Sequence, residues 1–182
     1  MKSNKKLPAR ERILLTAHEL FYRNGIRATG IDRIIAESSV TKVTFYRHFP
    51  SKNDLVRSFL EYRHQLWSSW FKAALKQHGQ DIHAIVPALS EWFQTKHFRG
   101  CAFINTVGEL ANELPEVVEI TRNHKQHMAE IISELLPLSI NQDELLNILT
   151  VVIDGSIVHA QYDKTPEHAL KAVDRIIAAL IP

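Results

Sequence analysis

The chain is poor in the features that define several common protein classes. Its single cysteine, Cys101, excludes an intrachain disulfide framework and fits a reducing cytoplasm. With 6 glycines and 7 prolines, it has too few of either for a collagen-like or disordered protein. No apolar run approaches the ~20 residues of a membrane span, and the basic start of the chain lacks the apolar segment of a signal peptide. We therefore expect a cytoplasmic globular protein without a membrane partner.

What the sequence does have is a sizeable apolar fraction and an uneven distribution of charge. The 182 residues are 45% apolar, which is enough for one substantial core or two small ones. Residues 1–64 carry 13 Lys and Arg against 6 Asp and Glu, whereas residues 65–182 carry 9 against 14. A basic arm opens the chain, with Lys2, Lys5, Lys6, Arg10 and Arg12. This asymmetry favours a polyanionic partner for the N-terminal third only.

Residues 29–52, TGIDRIIAESSVTKVTFYRHFPSK, have the pattern of a helix-turn-helix. A preceding helix is expected from about Ala9 to Asn24, where the apolar residues recur at helical spacing. Thr29 is the expected N-cap of the next short helix, with Asp32 three residues later. Ser39 lies in the turn that follows, and Thr41 is the expected N-cap of the third helix.

Two phenylalanines fix which face of the third helix points outward. Phe45 and Phe49 are four residues apart and are expected to point together into the core. The residues on or beside the opposite face are Lys42, Val43, Thr44, Tyr46, Arg47 and His48. Basic and hydroxyl side chains suit phosphates and base edges, and a valine suits a thymine methyl group. Lys52, in the first turn of a fourth helix capped by Ser51, predicts an additional phosphate contact.

This N-terminal stretch resembles the DNA-binding domain of the TetR family of transcriptional regulators. The resemblance is specific in VTKVTFYRHFPSK and covers roughly residues 9–64. It implies that the DNA backbone is held by Thr29, Thr44, Tyr46, His48 and Lys52. It implies that Thr41, Lys42, Val43 and Arg47 lie nearest the bases. Two positions depart from the family pattern, because Ser39 and Val43 stand where glycine is common.

The rest of the chain has helical periodicity throughout, so the expected fold is all-α with about nine helices. We expect a helix-turn-helix DNA-binding domain over residues 1–50 and a helical effector-binding and dimerisation domain over residues 51–182. The fourth helix, from about residue 51, would link them. Helices are expected near 141–162 and 166–181, with Asn141 and Thr165 as their N-caps. Both helices have too much apolar surface for one small core. They are predicted to pair with a second copy of the chain, which the family resemblance also implies.

Many large rings fall in the C-terminal part and predict an effector site for an apolar or aromatic small molecule. The predicted aromatic lining consists of Trp67, Trp70, Phe71, Trp92, Phe93, Phe98 and Phe103. The predicted polar anchors are Asn105, Glu109, His124, Asp154 and His159. Plain core packing is the alternative for any single ring, and a satisfied core histidine is the alternative for His124.

The function predicted is a repressor that a small-molecule effector releases from a palindromic operator. A ligand-dependent activator of the same family is the first alternative. An enzyme is a second, although no nucleophilic triad, phosphate loop or zinc-protease motif occurs. A third is an interaction module that has lost DNA binding. No cofactor or metal is expected, since His124 and His127 have metal-ligand spacing but no further ligands. Cys101 is expected to pack rather than to sense redox state.

Overall fold

The computed structural model describes residues 7–138, 141–163 and 165–181. Lys2, Lys5 and Lys6 of the predicted basic arm lie outside these residues, and Arg10 and Arg12 lie in the first helix. Within the described residues the chain is helical and contains no β-strand, as the sequence predicts. The α-helices are α1 (Ala9–Asn24), α2 (Ile31–Ser38), α3 (Lys42–His48), α4 (Lys52–Gln77), α5 (Ile85–Phe93), α6 (Ala102–Leu110), α7 (Glu116–Ser133), α8 (Gln142–Tyr162) and α9 (Glu167–Leu180). A 3₁₀ turn, Ile82–Ala84, precedes α5.

The chain divides into two compact units. The N-terminal unit contains the described residues up to Gln65 together with Ala102–Thr121. The C-terminal unit contains Leu66–Cys101 and the described residues from Arg122 onward. Helix α4 begins in the first unit and ends in the second. The predicted functional boundary near residue 50 stays a prediction.

The core of the N-terminal unit is built from the inner faces of α1 to α4. Phe45 and Phe49 are buried, with 0% and 1% of their surface exposed, which confirms their predicted inward orientation. Phe21 of α1 meets Phe59 of α4 edge to face, with ring centroids 5.4 Å apart. Gly25 ends α1 at φ +86°, a backbone conformation that favours glycine.

Two of the predicted helix caps in this unit are present and one is wrong. The Thr41 hydroxyl accepts the Thr44 N–H at 3.1 Å, and Ser51 caps α4 by accepting the Asp54 N–H at 3.2 Å. Thr29 does not cap α2, because α2 begins at Ile31 with Gly30 as its N-cap. The Thr29 side chain instead turns inward, where its hydroxyl donates to the Gly25 carbonyl at 2.7 Å.

The predicted caps of the last two helices are also wrong in detail. Asn141 occupies the N-cap position of α8, but its side chain makes no capping hydrogen bond and its amide instead donates to the Glu144 carboxylate at 3.3 Å. Pro166, not Thr165, is the N-cap of α9. In both cases the predicted helix forms within a few residues of its expected limits. Burial of apolar side chains therefore fixes these helices more strongly than their caps do.

Helices α8 and α9 pack against each other in the C-terminal unit, where α9 also contacts α5. The buried face of α8 includes Leu145, Leu149, Ile153 and Ile157. A second apolar row is exposed on the same helix, at Ile148, Val151, Val158 and Tyr162. By length and composition alone, α8 is the one helix of the described residues that could cross a membrane. Core helices of water-soluble proteins pass the same test, so this is weak evidence for a membrane span.

Candidate nucleic-acid interface and aromatic site

Helix α3 presents the polar and basic face that the sequence predicts. Thr41, Lys42, Val43, Tyr46 and Arg47 are exposed. Thr44 and His48 are half-buried at the edges of this face. We call these seven residues the α3 face. The apolar Val43 is 79% exposed, which is unusual for a valine and leaves its methyl groups free to contact a partner.

The buried side of α3 holds this face in place. Phe45 is buried in the core, and its ring centroid lies 6.3 Å from that of buried Phe49 and 5.3 Å from that of the exposed Tyr46. Arg10 of α1 lies over the Phe49 ring, with its guanidinium carbon 5.1 Å from the centroid. The turn before α3 contains Ser39 at φ +54°, a left-handed backbone conformation that is unfavourable for a residue with a side chain. The α3 face is therefore carried by a short helix that Phe45 and Phe49 anchor in the core.

Two predicted DNA contacts have other partners in the structure. The side chain of Thr29 is fully buried. The Lys52 ammonium donates to the Ile26 carbonyl at 2.6 Å. Burial lowers the pKa of Lys52, and the nearby carboxylates of Glu109 and Glu113 partly offset this effect. For both residues a DNA contact stays a prediction.

Part of the predicted effector lining does come together in the C-terminal unit. Trp67 stacks on Phe71 with ring centroids 4.7 Å apart and meets Trp92 at 5.6 Å. Trp70 lies 6.2 Å from Trp92, and His124 approaches Trp67 edge to face at 5.3 Å. Phe98 meets Trp92 edge to face at 5.3 Å. We call the group Trp67, Trp70, Phe71, Trp92, Phe98 and His124 the aromatic cluster.

One polar group inside the aromatic cluster has an unmet hydrogen-bonding requirement. The indole Nε1 of Trp67 is buried and has no hydrogen-bond partner among the described residues. The hydroxyl of Ser68, the next residue in the sequence, is also buried without a hydrogen-bond partner among the described residues. Buried polar groups are rarely left unpaired, so these two groups mark a candidate place for a bound molecule. Sequence periodicity did not indicate this feature.

The predicted polar anchors do not all lie with the cluster. His124 is buried against Trp67, as described above. Asp154 forms an ion pair with Lys125. His159 is exposed and lies 2.7 Å from the Tyr162 hydroxyl. Phe103, Asn105 and Glu109 belong to the N-terminal unit. More of the predicted aromatic residues than of the predicted polar anchors therefore belong to the aromatic cluster.

Glu109 has a definite role that the sequence did not indicate. Its carboxylate accepts the backbone N–H of Arg27 at 2.8 Å, across 82 residues of sequence. The Arg27 guanidinium in turn pairs with Glu113 at 2.7 Å. Because these pairs depend on tertiary packing, no local pattern could have predicted them.

Other candidate residues have simpler environments. His127 lies 3.3 Å from the Glu130 carboxylate on its own helix. No group of three or more potential metal ligands occurs among the described residues. Cys101 is buried. His18, which the sequence interpretation did not single out, is buried among Phe59, Tyr62 and Arg63. Burial, and then the charge of Arg63, lower its pKa to about 4.

Comparisons with known proteins agree with this geometry. The family model for bacterial regulatory proteins of the tetR family matches residues 13–59. The chain is 30% identical to a TetR-family transcriptional regulator from Streptomyces coelicolor whose structure is solved, with a TM-score of 0.85 over 96% of this chain and 90% of that one.

Two curated proteins are similar over most of their length. The uncharacterized HTH-type transcriptional regulator YxaF of Bacillus subtilis is 27% identical over 173 residues, covering 87% of this chain and 88% of that protein. The HTH-type transcriptional repressor BepR of Brucella suis is 27% identical over 143 residues, covering 75% of this chain and 68% of that protein. These relatives are regulators and not enzymes. From the helix-turn-helix geometry and these similarities, we conclude that the chain belongs to the TetR family of DNA-binding transcriptional regulators.

Proposed function

We propose that this protein is a homodimeric cytoplasmic repressor that leaves a palindromic operator when an apolar or aromatic molecule binds its aromatic cluster. The observation that carries the proposal is the exposed α3 face on a helix anchored by Phe45 and Phe49. A repressor is favoured over an activator by the similarity to the repressor BepR. Proteins that read palindromes do so as symmetric dimers.

The α3 face divides by chemistry into two proposed roles. Thr44, Tyr46 and His48 would hold the sugar-phosphate backbone, which positions the protein without reading sequence. Thr41, Lys42, Val43 and Arg47 would lie nearest the bases, where Arg and Lys discriminate guanine and Val43 can meet a thymine methyl group.

The operator proposal is tested by titrating a DNA duplex from beside the protein's own gene. Wild-type affinity should fall steeply as salt concentration rises, because phosphate contacts release counterions. Tyr46→Ala should weaken binding to every sequence by a similar factor, whereas Arg47→Ala should relax the preference at one base position. Glu61→Ala, at an exposed position of α4, is the matched control and should bind as the wild type does. Unchanged affinity in Tyr46→Ala would place the interface elsewhere.

The exposed row on α8 supports the proposed dimer. Ile148, Val151, Gly155, Val158 and Tyr162 follow one another at alternating intervals of three and four residues, which places them on one stripe of the helix. Ala169, Ala172, Ile176 and Ala179 repeat the same spacing on α9. Two such stripes per chain would form a four-helix interface with a second copy.

Light scattering tests the dimer directly. Val151→Glu places a charge on the α8 stripe and should convert a dimer mass into a monomer mass. Lys171→Glu also changes charge at an exposed helical position, but off the α9 stripe, and should leave the dimer intact. A monomer mass for the wild type at micromolar concentration would contradict the proposed assembly.

The aromatic cluster supports an effector that is planar and carries a hydrogen-bond acceptor. Its rings supply apolar faces, and Trp67 Nε1 supplies a buried donor without a partner. Binding must favour the conformation that leaves DNA, typically by about 1–3 kcal/mol of coupling. Helix α4, which continues from the N-terminal unit into the C-terminal unit, is the proposed carrier of that coupling.

The effector proposal is tested by native mass spectrometry of the protein freshly purified from its own host. We expect an adduct of small-molecule mass on the wild type that is lost in Trp67→Ala. Lys171→Glu serves again as a control and should retain the adduct. If the adduct persists in Trp67→Ala, the cluster is ordinary hydrophobic core. The same conclusion follows if the wild type carries no adduct and its tryptophan fluorescence does not change when planar aromatic compounds are added.

A further inference from the structure

The connection between α1 and α2, residues 25–30, is held by side chains from two distant parts of the chain. Lys52 at the start of α4 donates to the Ile26 carbonyl at 2.6 Å. Glu109 near the end of α6 accepts the Arg27 N–H at 2.8 Å. Two consecutive residues of the connection thus have a backbone group bound by a charged side chain. Charge-assisted hydrogen bonds of this kind are stronger than those between neutral groups.

Close packing limits how far this connection can move. The Glu109 carboxylate lies 3.1 Å from the position that a Cβ atom on Gly25 would occupy. At the other end of the connection, buried Thr29 donates to the Gly25 carbonyl at 2.7 Å. The connection therefore has a hydrogen bond between its own ends, and side chains of α4 and α6 bind its backbone.

The charges around Lys52 are locally balanced. Arg27 and Lys52 contribute two positive charges, and Glu109 and Glu113 contribute two negative ones. The Arg27–Glu113 pair is about half exposed and contributes little to stability by itself. The backbone contacts of Lys52 and Glu109 are the ones that fix the loop.

We propose that Lys52 and Glu109 are positioning residues that together fix the α1–α2 connection. The connection leads directly into α2, whose C-terminal turn leads into α3. Fixing it fixes the helix-turn-helix that carries the α3 face. This inference rests on the proposed operator binding, which the salt dependence of the wild type tests separately.

The first experiment compares Lys52→Met with Lys42→Met in operator titrations at several salt concentrations. Loss of a phosphate contact lowers the slope of log affinity against log salt concentration by about 1. Because Lys42 is on the exposed α3 face, Lys42→Met should show a reduced slope or an altered base preference. Lys52→Met should still bind about tenfold more weakly than the wild type when affinities are extrapolated to about 1 M salt, where the counterion contribution of a lost phosphate contact vanishes. Equal affinities of Lys52→Met and the wild type at that limit would overturn the positioning role of Lys52.

The second experiment uses Glu109, for which the two possibilities predict opposite signs. If only charge mattered, removing a carboxylate would raise affinity for DNA. A positioning role predicts that Glu109→Met lowers affinity, whereas Glu109→Gln, which keeps an acceptor for the Arg27 N–H, binds nearly as the wild type does. Glu61→Met is the matched control for removing an exposed negative charge from the same unit.

The outcomes of the two experiments are separable. Higher affinity in Glu109→Met, or equal loss in Glu109→Met and Glu109→Gln, would overturn the positioning role. If Lys52→Met does not fold, as judged by circular dichroism, the Glu109 pair decides alone. If the wild type shows no salt-dependent binding to any duplex from beside its own gene, it is the proposed function that fails.

Discussion

The hydroxyls of Thr41 and Thr44 lie 2.9 Å apart at the start of α3, and the Thr41 hydroxyl also accepts the Thr44 N–H at 3.1 Å. These contacts stabilise the first turn of a helix only seven residues long. So short a helix has almost no stability of its own and depends on its cap and on the core beneath it. The residue that begins the proposed base-reading surface therefore also maintains its shape.

Replacement of Thr41 should separate these two roles. Thr41→Ala removes the cap and should lower the free energy of unfolding by about 1 kcal/mol, as measured by urea denaturation. Thr41→Ser keeps the capping oxygen and should remain within a few tenths of a kcal/mol of the wild type. Equal stability of all three proteins would mean that the cap contributes nothing to α3.

Replacement of Ser39 by glycine should have the opposite effect and raise stability. It is held at φ +54°, in the left-handed region that costs a side-chain-bearing residue roughly 1–2 kcal/mol. Ser39→Gly removes that strain but gives the unfolded chain more freedom. The net result should be a rise of about 0.5–1 kcal/mol in the free energy of unfolding. Ser39→Ala, which keeps the strain, is the control and should show no such gain.

Gly100 should tolerate a side chain poorly, mainly because of its backbone conformation. Its φ is +74°, and a Cβ atom there would collide with the side chain of Gln161. Gly100→Ala should therefore lose about 1–3 kcal/mol of stability. Because the exposed Gln161 side chain can move aside, adding Gln161→Ala should restore little of this loss and leave the part that is due to backbone strain. Full restoration would show that the backbone at residue 100 is unstrained.

His18 should make stability depend on pH. Its pKa is about 4 in the folded chain, against about 6.5 when unfolded, so the unfolded chain binds more protons between these values. Stability from neutral His18 is complete above pH 6.5 and is lost as the pH falls towards 4, by up to roughly 3 kcal/mol. His18→Gln removes this titration, so its unfolding free energy should fall less steeply over that window. Parallel pH profiles would show that burial does not depress this pKa.

The sequence predicted most of the local structure and little of the tertiary charge network. The spacing of Phe45 and Phe49 alone predicted that both point inward. The predicted cap at Ser51 forms because its contact with the Asp54 N–H spans only three residues of sequence. Thr29 was misassigned as a cap because the Gly25 carbonyl, close to it only after folding, is the better partner for its hydroxyl. Lys52 and Glu109 have partners in the α1–α2 connection that are 26 and 82 residues away in the sequence. Effects of that range are invisible to periodicity.

The exposure of Val43 has a consequence for how the complex with DNA would respond to ionic strength and temperature. Affinity from charged contacts such as those proposed for Lys42 and Arg47 would decline as salt is added, because it depends on counterion release. Affinity from covering the Val43 methyl groups would not decline, and it would carry a negative heat-capacity change. The residual binding at high salt should therefore be the part most sensitive to whether a thymine methyl group lies opposite Val43.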